Sequence, residues 1–450
     1  MSPPLLTYYG DDFTGSTDVM EALSSNGVET VLFTRKPDDA WLQRFSHARA
    51  IGLAGFSRSK PPEWMDAELP GIFRWLGGLG APICHYKVCS TFDSAPRQGS
   101  IGRALEIGLE IFGQSVAPII VGAHQLGRYT FFGELFARYG ETVFRIDRHP
   151  VMSRHPATPM NEADLRLHLS HQTKLAIGLV DLPAMHAGTV ADRLAAALAA
   201  SVRAVLIDVA DPVSQRLAGE MLWNERHRLG PFVVGSSGVE YALIEAWRAV
   251  GIVGTRKAYE PLDAAARIAV VSGSCSPTTE RQINHASANG FVPIAVDYVA
   301  LASGQGGDRA EEAALAAALE ALRESASPLL YTALGPGDDA KQQAADTHPL
   351  DNDRVGQRLG AMLQRLAGEQ ALNRVIVAGG DTSSHALDAL GIAALTLRHP
   401  IPQSPGSPVC LAHRADHAGS FEIVLKGGQV GKDDFFVRIR DGKLEQSLQK

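Results

Sequence analysis

The sequence predicts an α/β protein with two domains, each an open, mostly parallel sheet with helices on both faces. Short apolar runs alternate with amphipathic helical patterns almost throughout the 450 residues, as in parallel sheets. A charged, proline-containing break at 254–266 separates two complete series of these patterns. We therefore expect an N-terminal domain over 1–255, a linker over 256–266 and a C-terminal domain over 267–450.

The first series begins at Leu5 and the second at Ile268. The predicted strands of the first series are Leu5–Tyr9, Glu29–Phe33, Ala50–Leu53, Ile83–Lys87, Pro118–Val121, Leu175–Leu179, Ala204–Asp208 and Phe232–Val234. Those of the second series are Ile268–Val271, Phe291–Val296, Leu329–Thr332, Arg374–Ala378, Ala394–Leu397 and Glu422–Leu425. The clearest helical patterns are Thr189–Ser201, Asp308–Ser325 and Asp353–Ala367, and the proline-rich stretch Pro400–Cys410 reads as a loop.

Composition narrows the class of protein. The formal net charge is -7, and no cluster of lysine and arginine points to a nucleic acid or a membrane. The four cysteines, Cys84, Cys89, Cys275 and Cys410, form no C-x-x-C pair, which favours a reducing compartment. The sequence shows neither a secretory leader nor an apolar stretch that would span a bilayer. We expect a cytoplasmic protein and, on base rate alone, a homodimer.

Ligands of open α/β sheets bind outside the carboxyl ends of the strands, so the turns there are the candidate sites. The first such turn holds two adjacent acids, Asp11 and Asp12, between an apolar run and a helical pattern. Helix capping explains either acid alone. A pair of like charges is better tolerated beside a cation or a substrate hydroxyl, so a base and a magnesium ligand are both plausible roles.

Two later turns of the same domain carry basic residues. Lys87 ends a strand and precedes Ser90, a pattern that suits a carboxylate or a phosphate. His124 and Arg128 follow another strand and suit an acidic substrate. Taken alone, each of these turns is better explained by solvated surface residues.

In the C-terminal domain, three turns are typical of phosphate binding at helix N-termini. The first is Ser272–Ser276, in which Ser272, Ser274 and Ser276 precede a helix; a simple serine cap is the alternative. The second is Gly379-Gly380 followed by Asp381 and Thr382. The third is the glycine-rich segment Leu425–Phe436 with Gly428 and Gly431, whose spacing excludes a Walker A loop.

In this order the motifs resemble those of the four-carbon acid-sugar kinase family. The matching patterns are D-D-x-T-G at Asp11–Gly15, S-G-S-C-S at Ser272–Ser276, G-G-[DE]-T-S at Gly379–Ser383, and K-x-G-x-x-G-x-x-D-F-F at Lys426–Phe436. The resemblance spans nearly the whole chain and implies an ATP-dependent kinase that phosphorylates a hydroxyl of a small sugar acid, with Mg²⁺.

The resemblance implies that the N-terminal domain binds the sugar acid and the C-terminal domain binds ATP, with the active site in the cleft between them. It places Asp11, Asp12, Lys87 and Arg128 at the substrate. Around ATP it places Ser272, Ser274, Gly379, Gly380, Asp381, Thr382, Gly428 and Gly431. We expect Asp12, with Asp11 beside it, to activate the acceptor hydroxyl; Asp381 is the rival base, and the metal ligands are not assigned.

One segment departs from the family pattern K-x-D-S-T-x-R-G. Cys89 stands in place of the acid and Asp93 in place of the arginine. A reversed charge beside a bound acid suggests an acceptor other than threonate or erythronate, and an oxo-isoapionate is the hypothesis. Arg97 is a candidate to restore the lost positive charge. The alternatives to a kinase are a lyase or isomerase acting on a sugar-acid phosphate, and a non-catalytic sugar-acid binding protein.

Overall fold

The computed structural model describes residues 3–155, 157–335, 351–416 and 419–444. It divides into two compact units. The first comprises Met1–Val31 and Lys36–Lys257, and the second comprises Leu32–Arg35 and Ala258–Lys450. The change of unit after Lys257 falls inside the segment 256–266 that the sequence analysis treats as a linker. The predicted boundaries themselves stay a prediction.

The first unit is an α/β layer structure with a small additional sheet. Its strands are β1 (Leu6–Gly10), β2 (Thr30–Phe33, whose last two residues are counted with the second unit), β3 (Ala50–Ala54), β4 (Cys84–Lys87), β5 (Ala117–Ile120), β6 (Arg128–Phe131), β7 (Glu134–Tyr139), β8 (Thr142–Arg145), β9 (Ile177–Val180), β10 (Ala204–Ile207) and β11 (Phe232–Gly235). Its helices are α1 (Phe13–Ser25), α2 (Asp39–Arg44), α3 (Pro62–Gly78), α4 (Ile101–Ile111), α5 (Leu165–Ser170), α6 (Leu182–Ala187), α7 (Val190–Ala199), α8 (Pro212–Asn224), α9 (Arg226–Leu229) and α10 (Gly238–Ala249). Short 3-10 helices cover Ser57–Ser59, His124–Leu126, Ile146–Arg148 and Met152–Arg154.

The main sheet of this unit has the strand order β2-β3-β1-β4-β11-β5-β10-β9. From β3 to β9 every pairing is parallel, as predicted from the continuous apolar runs. Gly10 at the end of β1 lies opposite both Ala54 and Lys87. The turns that follow β1, β3 and β4 therefore start at one edge of the sheet.

The second unit contains a mixed sheet. Its strands are β12 (Ala269–Ser272), β13 (Phe291–Ala295), β14 (Ser327–Tyr331), β15 (Arg374–Ala378), β16 (Ile392–His399), β17 (Val409–Arg414) and β18 (Ser420–Lys426). Its helices are α11 (Pro277–Ser287), α12 (Tyr298–Ser303), α13 (Gly307–Arg323), α14 (Asn352–Glu369), α15 (Gly380–Ala389) and α16 (Phe435–Asp441).

The strand order here is β13-β14-β12-β15-β18-β17-β16. The pairings from β13 to β18 are parallel, whereas β17 runs antiparallel to both of its neighbours. Buried apolar residues of adjacent strands, such as Val270, Ile376 and Val424, pack with Phe435 and Phe436 of α16. Ser272, Ala378 and Lys426 lie side by side at the carboxyl ends of β12, β15 and β18.

Two sequence-based expectations about loops are wrong. The predicted loop Pro400–Cys410 ends in strand, because Val409 and Cys410 begin β17. No strand was predicted in the segment 122–134 around His124 and Arg128, but it contains β6, which forms an antiparallel three-stranded sheet with β7 and β8. The predicted architecture, two α/β domains with mostly parallel sheets, is confirmed.

Candidate functional site

The acid pair of the first unit lies at the start of α1. Asp12 is the N-cap of this helix, and its Oδ1 accepts a hydrogen bond from the Gly15 amide at 2.6 Å. Gly15 is required by a close approach: a Cβ there would lie 2.5 Å from Asp12 Oδ1 and 3.1 Å from Lys87 Nζ. Capping is therefore one role of Asp12, and Asp11 has a different role.

Arg58, in the turn after β3, binds both acids. Its Nε and Nη2 donate to the two carboxylate oxygens of Asp11 at 3.2 and 2.8 Å. Its Nη1 lies 3.0 Å from Asp12 Oδ2. Burial raises the pKa of Asp11 to about 6, against the opposing effect of Arg58. The arginine is thus the cation that lets two like charges stand together.

Lys87 is almost fully buried beside the same acids. Its Nζ lies 3.6 Å from Asp18 Oδ2, and the Lys87 carbonyl accepts from the Asp11 amide at 2.9 Å. Burial alone would lower the pKa of Lys87, but Asp18 and the neighbouring acids outweigh it and raise the pKa above its ordinary value. Lys87 is therefore a buried, charged member of a cluster of opposite charges, not the surface residue of the alternative interpretation.

Arg128 is a different kind of cation. Its Nη1 donates to the backbone carbonyls of Leu126, Gly127 and Arg138. Its Nε is buried and has no hydrogen-bond partner in the described part of the chain. Burial lowers the pKa of Arg128, and Asp18, the ion-pair partner of Lys87, opposes that effect, so Arg128 lies within electrostatic range of the Lys87 cluster. Backbone carbonyls hold this guanidinium in place, and its buried Nε is still available to donate a hydrogen bond. Such a group suits a bound carboxylate.

The segment after β4 is also tied to Arg58. Asp93 accepts from the Thr91 hydroxyl at 2.5 Å. Burial tends to raise the pKa of Asp93, but Arg58, the Thr91 hydroxyl and His155 together lower it. Arg97, by contrast, is exposed. Arg58 and His155, rather than Arg97, therefore balance the acid that replaces the arginine of the family pattern.

The other two predicted substrate residues are less closely connected with this cluster. Ser90 is half-buried in the turn after Lys87. His124 lies in a 3-10 helix, where burial lowers its pKa and the opposing charges are those of Asp211 and Glu245. The structure thus brings Asp11, Asp12, Lys87 and Arg128 into one neighbourhood, to which it adds Arg58, and leaves His124 among other charges.

In the second unit the three predicted phosphate turns converge. The Gly379 amide donates to the Lys426 carbonyl at 2.9 Å, and the Gly273 amide donates to the Ala378 carbonyl at 3.0 Å. The hydroxyl of Ser276 donates to the Gly428 carbonyl, and the hydroxyl of Thr279 donates to the same carbonyl at 3.2 Å. The turns after β12, β15 and β18 therefore form one connected surface.

Serines and glycines shape this surface. Ser276 caps α11 through the Thr279 amide at 3.1 Å, with Pro277 as the first helical residue. Gly379 precedes α15 with φ of 122°, a region that favours glycine. At Gly428 a Cβ would lie only 3.0 Å from Ser274 Oγ. The amides at the starts of α11 and α15 are donors of the kind that phosphates bind at helix N-termini.

The remaining predicted nucleotide residues have mixed surroundings. Ser272 Oγ accepts from the Ser274 amide at 3.4 Å, and Ser274 Oγ accepts from the Ser276 amide at 3.3 Å. Thr382 is buried in α15. Gly431 packs against the Phe435 ring, where a Cβ would lie 2.6 Å away, so its glycine is explained by packing. Asp381 and Gly380 begin α15, but the side chain of Asp381 lies outside the described residues.

Comparisons with known proteins also divide the chain into an N-terminal and a C-terminal domain. The profile of a sugar-binding N-terminal domain matches residues 6–243, and that of a nucleotide-binding C-terminal domain matches residues 269–436. The chain is 45% identical over 448 residues to 3-oxo-isoapionate kinase of Paraburkholderia graminis, with 98% of this chain and 95% of the relative covered. The chain belongs to the four-carbon acid-sugar kinase family.

A second relative, 3-oxo-tetronate kinase of Cupriavidus necator, is 31% identical over 439 residues, with 96% of each chain covered. A solved structure from Salmonella typhimurium LT2, described as a putative tRNA synthase, shares the fold at a TM-score of 0.76 and 24% identity, covering 98% of this chain and 99% of its own. The predicted family and enzyme class, a kinase with a sugar-acid acceptor, are confirmed. The relatives support neither a lyase or isomerase nor a binding protein.

Sequence reasoning missed two residues of these sites. Arg58 lies in the stretch Phe56–Pro61, which reads as an ordinary surface turn, although its position just after a predicted strand was a usable signal. Lys426 belongs to the motif that carries the resemblance but was not singled out as a site residue.

Of the helices in the described ranges, none combines the length and the hydrophobicity of a membrane-spanning segment.

Proposed function

We propose that this kinase transfers the γ-phosphate of ATP to a hydroxyl of 3-oxo-isoapionate. The observation that carries the substrate is the 45% identity to a 3-oxo-isoapionate kinase along 98% of the chain, against 31% to a 3-oxo-tetronate kinase. The charge exchange at Asp93, balanced by Arg58 and His155, supports an acceptor other than threonate. Turnover of 3-oxo-tetronate is the second candidate activity.

The acceptor is proposed to bind in the first unit. Arg128 binds its carboxylate through the buried Nε, and Lys87 supplies positive charge at the end of β4. Asp12 orients the attacking hydroxyl and accepts its proton, because its side chain is more exposed than that of Asp11, at 23% against 5%. Arg58 holds both carboxylates in place. Phosphoryl transfer asks mainly for such positioning and for charge stabilisation.

The donor is proposed to bind in the second unit. The amides at the starts of α11 and α15 and the hydroxyls of Ser272, Ser274 and Ser276 surround its phosphates. Asp381, at the start of α15, remains the rival base.

Mg²⁺ is proposed to arrive with ATP and to neutralise charge on its phosphates. Such a site needs one or two protein carboxylates rather than a preformed cage. In the part of the chain that the structure describes, no group of three or more His, Cys, Asp or Glu is placed to hold a metal ion. The two oxygens of Asp11 already bind Arg58. The donor set of the first unit therefore fits a substrate better than a metal, and the ligands of Mg²⁺ stay unassigned.

Release of ADP by the purified chain tests the proposal. ATP, Mg²⁺ and one acceptor would be supplied at a time: 3-oxo-isoapionate, 3-oxo-tetronate, threonate or erythronate. We expect kcat/KM on 3-oxo-isoapionate to exceed that on each tetronate by at least roughly 10-fold, the discrimination that a few pocket contacts provide. A preference for threonate would contradict the proposed acceptor, and turnover without ATP would contradict a kinase.

A further inference from the structure

Lys426 occupies the centre of the three converging turns of the second unit. It ends β18, and its side chain is fully buried. Its Nζ donates to the Thr279 hydroxyl at 3.1 Å, to the Gly427 carbonyl at 2.9 Å and to the Gly428 carbonyl at 3.4 Å. Its backbone carbonyl accepts from the Gly379 amide. One lysine thus contacts all three turns whose amides and hydroxyls are candidate hydrogen-bond donors to phosphate.

Among the described side chains, no carboxylate balances the charge of this ammonium. In the described part of the chain, no Asp or Glu oxygen forms an ion pair with Lys426. On α11, Glu280 is directed at Gly335, where a Cβ would lie 2.1 Å from its Oε2, and Cys275 before that helix is exposed. On α15 the titratable group nearest in sequence is Asp381, whose side chain is outside the described residues. Burial lowers the pKa of Lys426 to about 7, and no charge of the described side chains offsets that effect.

A buried ammonium without a counter-charge is costly, so such a group either loses its proton or acquires an anion. Carbonyls and a hydroxyl satisfy its hydrogen bonds but bring no negative charge. The amides at the starts of α11 and α15 lie beside the same turns, and the helix dipoles there favour anions. A nucleotide phosphate is the anion that all of these groups would share.

We propose that Lys426 is the charge-sensing residue of the nucleotide site: it positions the three turns and takes its counter-charge from the bound phosphates. The inference rests on the proposed function, because it names a residue of the proposed ATP site. It adds that nucleotide binding is linked to a proton, since a phosphate near the ammonium favours its protonated form. A purely structural cross-link between the turns would bind no proton when nucleotide binds.

Calorimetric titration tests the linkage. Mg·ADP would be titrated into the full chain at pH 8 in two buffers of different ionisation enthalpy, HEPES and Tris. We expect the uptake of about one proton per nucleotide at pH 8, falling towards zero at pH 6, where the free lysine already carries its proton. The Lys426→Arg variant keeps a permanent charge, so it should bind Mg·ADP without proton uptake.

Two further variants separate charge from folding. Lys426→Met should raise the KM for ATP by roughly 10- to 100-fold, the effect of losing a charged hydrogen bond, with a smaller change in the KM for the sugar acid. Lys443→Met removes an exposed lysine of the same unit, 75% accessible, and should change neither the affinity nor the proton uptake.

The outcomes distinguish this inference from the proposed function. Binding of Mg·ADP without proton uptake at pH 8 would overturn the role of Lys426 and leave the kinase intact. Failure of the wild-type chain to bind Mg·ADP would overturn the donor site and Lys426 together. Unchanged proton uptake in Lys426→Arg would assign the proton to another group and overturn the inference.

Discussion

Two buried lysines end parallel strands in the two units, and they differ in what surrounds their charge. Lys87 ends β4 beside Asp18 and close to Asp11, and these acids raise its pKa. Lys426 ends β18 among carbonyls and a hydroxyl, and burial lowers its pKa to about 7. The same residue type at the same place in a parallel sheet thus has opposite electrostatic surroundings.

The difference indicates what each site is built to receive. Around Lys87 the charges are already matched, and Arg128 provides the spare donor, which suits an acceptor with one carboxylate and several hydroxyls. Around Lys426 no described carboxylate matches the positive charge, which lies beside two helix N-termini and suits a ligand with several negative charges. We therefore expect the sugar acid to bind beside the neutralised Lys87 cluster and ATP to bind beside the Lys426 ammonium.

Removing the charge of Lys87 should have the largest effect. Lys87→Met leaves Asp18 buried without its cation, and we expect a loss of about 3–5 kcal/mol in the free energy of unfolding together with loss of turnover. Urea unfolding and an ADP-release assay measure the two effects. The double variant Lys87→Met/Asp18→Asn removes a matched pair and should recover much of the stability but not the activity. A stability of Lys87→Met within about 1 kcal/mol of wild type would refute the neutralised cluster.

The next largest effect is expected at the proposed base. Asn is as good an N-cap as Asp, so Asp12→Asn should leave α1 intact while it lowers kcat by roughly 10²- to 10⁴-fold. Affinity for Mg·ADP, measured by calorimetry, should be unchanged. The matched control is Asp38→Asn, since Asp38 caps α2 through the Trp41 amide at 3.0 Å and should not affect kcat. If Asp12→Asn turns over normally, the base is another residue, and Asp381 is the next candidate.

The two lysines should also differ in how stability depends on pH. The folded pKa of Lys426 is below that of an unfolded lysine, so the unfolded chain binds more protons there above pH 7. Its contribution to the free energy of unfolding should therefore rise with pH by about 1 kcal/mol per unit between pH 7.5 and 9. Lys87, whose folded pKa is raised, contributes stability that is fully present throughout this range and is lost only at higher pH.

Urea unfolding at several pH values tests that contrast. The difference in unfolding free energy between wild type and Lys426→Met should increase from pH 7.5 to pH 9. The difference between wild type and the exposed-lysine variant Lys443→Met should stay constant. A constant difference for Lys426→Met would mean that the buried lysine keeps an ordinary pKa.

The smallest effect is expected at the backbone of the donor site. A Cβ at Gly380, the first residue of α15, meets no atom within 4 Å, and the same is true of Gly368 in α14. Both Gly→Ala changes should leave stability unchanged or slightly raised. Only Gly380→Ala should weaken Mg·ADP binding, by a few-fold, because a phosphate approaches the backbone there. Equal nucleotide affinity of the two variants would argue against that approach.

Much of the fold could be predicted because buried parallel strands are continuous apolar runs. Arg374–Ala378 has the predicted bounds, and several other strands shift by only one or two residues. The sheet β6–β8 was missed because its strands mix charged, aromatic and small residues after a glycine-rich turn. The whole of β17 was missed: prolines crowd the segment before it, although Val409 is buried and paired.

The site was only partly predictable for a physical reason. Motif residues such as Asp12 and Gly379 follow strands directly, so their position at the carboxyl edge could be read from the sequence. Arg58 lies in a turn whose composition is ordinary, and only the pairing of β1 with β3 brings it to Asp11. The unbalanced charge of Lys426 depends on which carboxylates are absent around it, and no sequence pattern records that.

The most direct test of the central claim is a crossed binding measurement. Arg128→Met and Lys426→Met would each be titrated separately with 3-oxo-isoapionate and with Mg·ADP. We predict that Arg128→Met loses affinity for the sugar acid and keeps that for Mg·ADP, whereas Lys426→Met shows the reverse. Two results would contradict the assignment of acceptor and donor to these sites. One is that Arg128→Met loses affinity for Mg·ADP and keeps its affinity for the sugar acid. The other is that Lys426→Met binds Mg·ADP with the affinity of the wild type.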